Sequence, residues 1–295
     1  MRRALAVAPA VFVLLWSTGF VGAKYGLPYA DPFTFLALRL AIAGTVLGVA
    51  AAVSRSRISR VQAGRAAVSG LLLHAAYLGG VFWAISRGVP AGVSSVVVSL
   101  QPVLVAALAA PLLGEQLLRR QWLGLVVGVA GVVLVLAPRL TSSVGSLPAR
   151  GVVACVLALL GGTIGTLWQK RHGDGIPLLL GTAVQYAAAA AALLVLAVLT
   201  EPMRLEWTGR FVGALIWLIV VLSIGAVLLL LILLRRGSAS GVSSLFYLVP
   251  PATAIEAFVV FGERLAALSV LGIAVTAVGV AMAVRNGPVE VLPDP

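Results

Sequence analysis

Apolar residues run along this chain in long blocks separated by short polar connections. The blocks fall near 5–23, 32–53, 66–86, 91–113, 120–138, 150–168, 177–199, 211–234, 241–261 and 266–284. Each is about 20 residues long, roughly 30 Å of helix at 1.5 Å per residue, which matches the hydrocarbon thickness of a bilayer. Spanning strands would alternate apolar and polar positions over about ten residues, whereas stretches such as 123–136 and 220–234 read as apolar on every face. The pattern predicts ten transmembrane helices in an all-α integral membrane protein.

Composition supports the same class. Of 295 residues, 61% are hydrophobic and 10% charged, against roughly 45–50% and 25% in soluble domains. A soluble fold is excluded. The net charge of +12 could suggest nucleic acid, but the cations cluster in the short connections, as cytoplasmic loops of membrane proteins do. The expected partners are therefore the lipid bilayer and a small-molecule substrate, with no nucleic acid. With the N-terminus inside, the loop holding Arg55, Arg57, Arg60 and Arg65 and its companions on that side carry most of the cations, while Lys24, Arg87, Arg139, Arg150, Arg204, Arg210 and Arg264 lie opposite. Both termini are expected to be cytoplasmic and the protein to be multi-pass in the plasma membrane. Arg2 and Arg3 before an apolar run resemble a signal peptide, but the run continues to about Ala23 and many spans follow, so an uncleaved first helix is the simpler reading. The single cysteine, Cys155, permits neither an internal disulfide nor a cysteine metal cluster. No metal and no cofactor are expected.

The chain also repeats itself. Arg87-Gly88, Gly92-Val93-Ser94-Ser95 and Pro102 recur as Arg236-Gly237, Gly241-Val242-Ser243-Ser244 and Pro251 at an offset of 149 residues. Gly114-Glu115, Leu117, Gly124 and Gly131 recur as Gly262-Glu263, Leu265, Gly272 and Gly279 at an offset of 148. Ser17, Gly19 and Lys24 face Thr163, Gly165 and Lys170 more loosely, at 146. These correspondences define two five-helix units, 1–140 and 141–285, followed by a polar, proline-rich tail, 286–295, expected to be a disordered cytoplasmic segment. Because five is odd, the second unit enters the membrane from the opposite side. Inverted repeats of this kind can exchange conformations and open a midplane site alternately to each face.

The duplicated unit, the Gly-Glu pairs 114–115 and 262–263, and the segments Ser99-Leu100-Gln101-Pro102 and Tyr247-Leu248-Val249-Pro250-Pro251 resemble the drug/metabolite transporter superfamily, and within it an EamA-type exporter. The resemblance covers essentially the whole chain. It implies ten helices, cytoplasmic termini, a central cavity between the halves, and export of small metabolites such as amino acids.

The residues themselves suggest where that cavity lies. Pro102 and Pro251 fall about ten residues into their helices, where proline would kink the helix and free the carbonyls of Val98 and Tyr247 to line a cavity at the midplane. Gly92-Val93-Ser94-Ser95 and Gly241-Val242-Ser243-Ser244 open the fourth and ninth helices and are expected to cap them, or to offer positive helix ends to an anionic substrate group. Glu115 and Glu263 are expected at interfacial helix ends. Ionisable residues inside spans are costly unless paired or hydrated, and Arg39, His74 and Glu256 stand out. Arg39 and Glu256 lie at similar depth and are expected to interact, directly or through water. His74 shares a helix face with Tyr77 and is a candidate proton carrier. Gln185 occupies the position of Arg39 in the second unit, so any charged binding element is one-sided. Trp16, Tyr77 and Trp83 could stack on a substrate, or serve as filler. The expected cavity lining is Trp16, Arg39, His74, Tyr77, Gln101, Gln185, Tyr247 and Glu256. Gly44/Gly48 and Gly124/Gly128 are close-packing spacings.

Two other classes compete. A membrane-embedded hydrolase would use Ser94 with His74, but the glycine that completes a nucleophile elbow is missing, and two histidines cannot supply a His-Glu-x-x-His site. A scaffold or receptor would have a sealed core. The expected function is secondary transport, outward, by alternating access and with possible proton coupling; no catalytic residues are expected.

Overall fold

The structure, a computed structural model, describes residues 2–89, 94, 97–98, 100–114, 117–142, 148–261 and 267–284. Helices dominate these residues: α1 (Arg2–Gly26), α2 (Pro32–Val53), α3 (Arg60–Ser86), α4 (Gln101–Leu113), α5 (Arg119–Ser142), α6 (Ala149–His172), α7 (Leu178–Thr200), α8 (Gly209–Arg236), α9 (239–261) and α10 (Ala267–Val284). Nine of the ten elements coincide with apolar blocks to within about six residues, most of them running past the predicted ends, and α4 covers the second half of the block 91–113. Polar caps set several of these ends. Ser59 and Gln62 form a reciprocal capping box at the start of α3, Thr208 accepts from Phe211 N at the start of α8, and Ser238 accepts from Gly241 N at the start of α9. Each satisfies an amide that a helix start leaves without a partner. The Gly-Glu segments at 115 and 262–263 and the tail 286–295 lie outside the described residues, apart from Gly114, which ends α4 at φ +72° as only glycine does without strain.

Internal duplication is written into the backbone. α3 carries a π-helical stretch at Leu71–Leu78 and α8 another at Leu218–Ala226, overlapping positions under the 149-residue offset. A π turn widens the helix and loosens its hydrogen-bond ladder, and such turns occur frequently at functional sites. Among the described residues, the two non-glycine residues with positive φ, Arg55 (52°) and Met203 (57°), stand 148 positions apart in the turns that follow α2 and α7.

Equivalent helices also pack on one another. Along α2 and α7, Gly44 lies against Tyr186 and Gly48 against Ala183. Along α5 and α10, Gly131 lies against Thr276, and Gly128 against Gly279. In both pairs the residue number rises on one helix as it falls on the other, so the helices are antiparallel. Second packs on second and fifth on fifth, which is the arrangement an inverted repeat requires around its axis. The expected small-residue spacings do their packing here: a Cβ added to Gly279 would sit 2.4 Å from the Gly128 nitrogen, and one added to Gly131 2.4 Å from the Thr276 nitrogen. Van der Waals contact of this closeness is the main attraction between helices in lipid.

Three expectations change. Pro102 does not kink a continuous helix: it is the second residue of the α-helical segment Gln101–Leu113. In α9 a 3-10 turn, Leu245–Leu248, joins Ala239–Ser244 to Val249–Phe261, and Pro250 and Pro251 lie in the first turn of the latter. A first-turn proline forgoes only an amide that had no partner anyway, so the prolines open the α-helical segments that follow the Leu100 turn and the Leu245–Leu248 3-10 turn. Nor do the Gly-Val-Ser-Ser serines cap their helices, as far as these are described. Ser238 caps α9, Ser244 Oγ donates back to Gly241 O at 2.7 Å, and Ser94 is buried against Cys155 (Sγ–Oγ 3.4 Å). Finally, the 220–234 stretch is not apolar on every face, because Ser223 points into the bundle and is fully buried.

At one end, the turns after α1 and α7 are tied together. Ala30 and Leu205 form a backbone bridge, Arg204 N donates to Asp31 Oδ2 at 2.7 Å, and Glu201 accepts from Phe33 N, Thr34 N and Thr34 Oγ1 at 2.8–2.9 Å. At the opposite end Gln62 donates to Gly175 O at 3.1 Å and Trp168 Nε1 to Arg65 O at 3.0 Å.

Candidate functional site

Most of the expected residues are buried, but the structure sorts them into separate clusters. The largest runs through the middle of the bundle. Arg39, on α2 and 3% exposed, donates from Nε to Ser223 Oγ at 2.8 Å. Tyr186 on α7 donates its hydroxyl to the Ser223 carbonyl, in the π stretch of α8. The Tyr186 ring meets the His74 ring edge-on, with centroids 4.8 Å apart. His74 Nε2 lies 3.3 Å from Gln185 Oε1, and Gln185 Nε2 donates to Gln169 Oε1 at 3.2 Å. With Gln185 Oε1 as the acceptor, this contact calls for the His74 hydrogen on Nε2.

Helices α2, α3, α6, α7 and α8 all contribute to this chain of polar groups. It is two copies of one contact: Arg39 and Gln185 are repeat-equivalent, and so are Ser223 and His74 under the 149-residue offset. Each bond therefore joins the second helix of one unit to the third helix of the other. The first unit supplies a guanidinium where the second supplies an amide.

This cluster reaches an opening. Gln169, at its end, lines a cleft of about 110 Å³ together with Lys170, Asp174, Leu234 and Arg235. Lys170 Nζ donates to Leu234 O at 2.9 Å and Gly237 O at 2.6 Å, and Arg235 donates to Ile176 O. Both cations thus tie the α6–α7 turn to the end of α8.

A second cluster centres on Tyr77 and Gln101. Gln101 Nε2 donates to Thr166 Oγ1 at 3.2 Å and faces Gly162 O at 3.4 Å. A Cβ on Gly162 would meet both Gln101 Oε1 and the Tyr77 ring within 3 Å, so α6 presents glycine there to admit them. Trp16 packs among Phe12 and Phe246, each 5.3 Å away between centroids. A third contact joins Ser17 on α1 to Glu256 on α9.

Arg39 and Glu256 do not bond directly; each is held by a serine instead. The depth estimate behind that expectation stands nonetheless. Gly19 lies against Leu222, and Leu15 against Gly225, which brings Ser17 and Ser223 to one level. The arginine and the glutamate are therefore at similar depth beside different helices. Tyr247 is fully buried with its ring against Gly128, and its hydroxyl has no hydrogen-bond partner. Trp83 lies under the Arg87 guanidinium (5.1 Å), away from these clusters.

Ser223, Tyr186, Gln169 and Thr166 were not singled out by sequence. Ser223 carried a usable signal: applying the established 149-residue offset to His74 lands on it. Tyr186, Gln169 and Thr166 carried none beyond being polar in apolar helices. Among the described residues no group of three or more His, Cys, Asp or Glu side chains could hold a metal ion.

The profile of the EamA-like transporter family matches residues 4–137 and again 149–285. An uncharacterized transporter, YvbV, of Bacillus subtilis (strain 168) is 25% identical over 265 residues, spanning 90% of this chain and 85% of that protein. A WAT1-related chloroplastic protein of Arabidopsis thaliana, At3g02690, is 29% identical over 284 residues, 90% of this chain and 66% of that protein. A solved crystal structure superposes with a TM-score of 0.79 over 96% of this chain and 97% of that one at 23% identity, a likeness of fold alone.

Proposed function

We propose that this chain, which belongs to the EamA-like transporter family, is a secondary transporter that exports small organic metabolites such as amino acids by alternating access. It is a multi-pass membrane protein. We place it in the plasma membrane with both termini cytoplasmic, as the distribution of loop cations suggests, and set the boundary between its two units near residues 140–149.

The observation that carries the reading is the paired contact Arg39–Ser223 and Gln185–His74. Polar bonds that join one unit to the other, at repeat-equivalent places, break and re-form as the units rock about their axis. A buried guanidinium whose hydrogen-bond partner is a neutral serine can receive the anionic group of a substrate, because a desolvated charge gains most from an opposite charge. Gln185, Gln169 and His74 extend polar contacts from Arg39 towards the cleft beside Lys170, which serves as the vestibule on the terminal side. Trp16, Tyr77, Phe246 and Gln101 supply an aromatic wall with one amide for the apolar part of a substrate.

Counterflow uptake in proteoliposomes tests this. Purified protein reconstituted with unlabelled neutral L-amino acids inside is expected to accumulate the same labelled compounds saturably, and Arg39→Gln is expected to lose that uptake while remaining folded. Equal uptake by Arg39→Gln and the native protein would remove Arg39 from the substrate site.

A further inference from the structure

We propose that Glu256 and Ser17 form a proton-binding site at the seam between the two units, with Glu256 held as the neutral carboxylic acid in this conformation and releasing its proton when the seam rearranges. The inference rests on the transport reading and names the ion that couples to it.

The hydrogen-bond inventory leads there. Ser17 is fully buried, and its Oγ lies 2.9 Å from Leu14 O and in hydrogen-bond contact with Glu256 Oε1. A serine hydroxyl has one hydrogen to give, yet a backbone carbonyl and an ionised carboxylate would both need it. Placing a proton on Glu256 Oε1 resolves the conflict. The acid donates to Ser17 Oγ, Ser17 donates to Leu14 O, and Glu256 Oε2 becomes a neutral carbonyl oxygen. That oxygen is buried without a partner, which is tolerable for a carbonyl and severe for a carboxylate.

Among the described residues, neighbouring charge does not supply the missing partner. The helices packed on this part of α9 are α1, α5 and α10. α10 has no ionisable residue between Ala267 and Val284. α5 has Arg119 and Arg120 at its far end and Arg139 at its near end; α1 has Lys24 and Tyr25 about two turns beyond Ser17. Arg39 is engaged by Ser223. Repeat equivalence isolates the site further: Thr163 stands in for Ser17 in the second unit and bonds back to Leu159 O at 2.7 Å, while the positions matching Glu256 in the first unit are Ala107 and Leu108. The carboxyl is an addition to one half of a scaffold that is neutral in the other.

His74 is the less suitable carrier. A second proton, taken on Nδ1, would make an imidazolium that shares a cluster with the Arg39 guanidinium.

Release of the proton to the aqueous phase leaves a carboxylate. The Ser17 hydroxyl then turns from Leu14 O to Glu256 Oε1, and Oε2 seeks water or a cation. Because α1 and α9 belong to different units and also meet through Thr253 Oγ1 and Ser17 O at 3.5 Å, this change alters the seam that alternating access must open.

Two measurements test the site separately from the transport reading. Infrared spectra of the bilayer-embedded protein at neutral pH are expected to show a protonated-carboxyl stretch that Glu256→Gln removes and Ser17→Ala shifts; no difference between native and Glu256→Gln spectra overturns the proposal. In proteoliposomes with labelled neutral L-amino acids, Glu256→Gln is expected to keep counterflow within about threefold of native while losing the several-fold stimulation by an imposed pH gradient. A Glu256→Gln protein that still responds to the gradient as the native one does overturns it. Absence of counterflow in the native protein would instead refute the transport of these compounds, and the infrared result would still decide whether Glu256 holds the proton.

Discussion

Arg39 reaches across from the second helix of one unit to Ser223 on the third helix of the other, 2.8 Å from Nε to Oγ. The equivalent bond, Gln185 to His74 at 3.3 Å, closes the same contact in the other direction. A duplicated scaffold has here kept the geometry of a bond and changed its chemistry, replacing a neutral amide by a cation on one side only. That difference places a buried guanidinium on one side of a nearly symmetric bundle.

If the two bonds are one contact, their partners can be exchanged. Ser223→Ala leaves the buried guanidinium short of an acceptor and is expected to destabilise the protein by about 1.5–3 kcal/mol. The double variant Arg39→Gln, Ser223→His copies the Gln185–His74 pair into the first position. It is expected to unfold closer to the native protein than Ser223→His alone, where imidazole and guanidinium compete for the space. Equilibrium unfolding in mixed micelles reads both.

The glycines at the α5–α10 crossing should be intolerant. Gly279→Ala drives a methyl into the backbone of Gly128 and Gly131→Ala one into Thr276, so each is expected to cost about 1–3 kcal/mol. Gly64, in the first turns of α3, has open space around it, with nothing within 4 Å of an added methyl; Gly64→Ala is expected to gain about 0.5–1 kcal/mol from helix propensity. Thermal unfolding of the three variants side by side checks the contrast.

Much of this was legible in the sequence. The ten spans followed from apolar blocks of bilayer length, and inversion followed from an odd number of helices per repeat; the antiparallel α2–α7 and α5–α10 pairs bear out that inversion. The turns before the prolines of the fourth and ninth spans were half legible: prolines marked the places, but whether a proline kinks a helix or begins one depends on where the preceding turn stops, which local sequence does not fix. The direct form of the Arg39–Glu256 contact is absent because depth along a helix axis leaves rotation about it undetermined. Ser17 and Ser223 lie at one level on neighbouring helices, and each faces a different ionisable residue. Ser223 was legible only through the repeat, 149 positions after His74, since a lone serine hardly changes the mean hydropathy of a run such as 220–234.

Glu201 tests the closure at the end where α1 meets α2. Its carboxylate accepts from two backbone amides and a threonine hydroxyl at the start of α2, a charge well placed for a helix N-terminus. Glu201→Ala is expected to destabilise by about 1–2 kcal/mol and to raise hydrogen exchange at Phe33 and Thr34. Unchanged exchange there would show that the cap does not hold this turn.

Tyr247 offers a trade-off. Its hydroxyl is buried without a partner, so Tyr247→Phe removes an unsatisfied group and is expected to raise the Tm, by an amount corresponding to about 1 kcal/mol. If a substrate group meets that hydroxyl during transport, the same change raises the KM for counterflow. Stability and KM measured on one preparation separate a packing role from a binding one.

The most direct test of alternating access is the accessibility of residue 101. Gln101 is 2% exposed here, bonded to Thr166. In a Gln101→Cys, Cys155→Ala protein reconstituted in one orientation, a membrane-impermeant maleimide is expected to label position 101 from either side of the membrane, more slowly when a transported amino acid holds one conformation. Labelling from neither side, in protein that remains folded, would contradict the account.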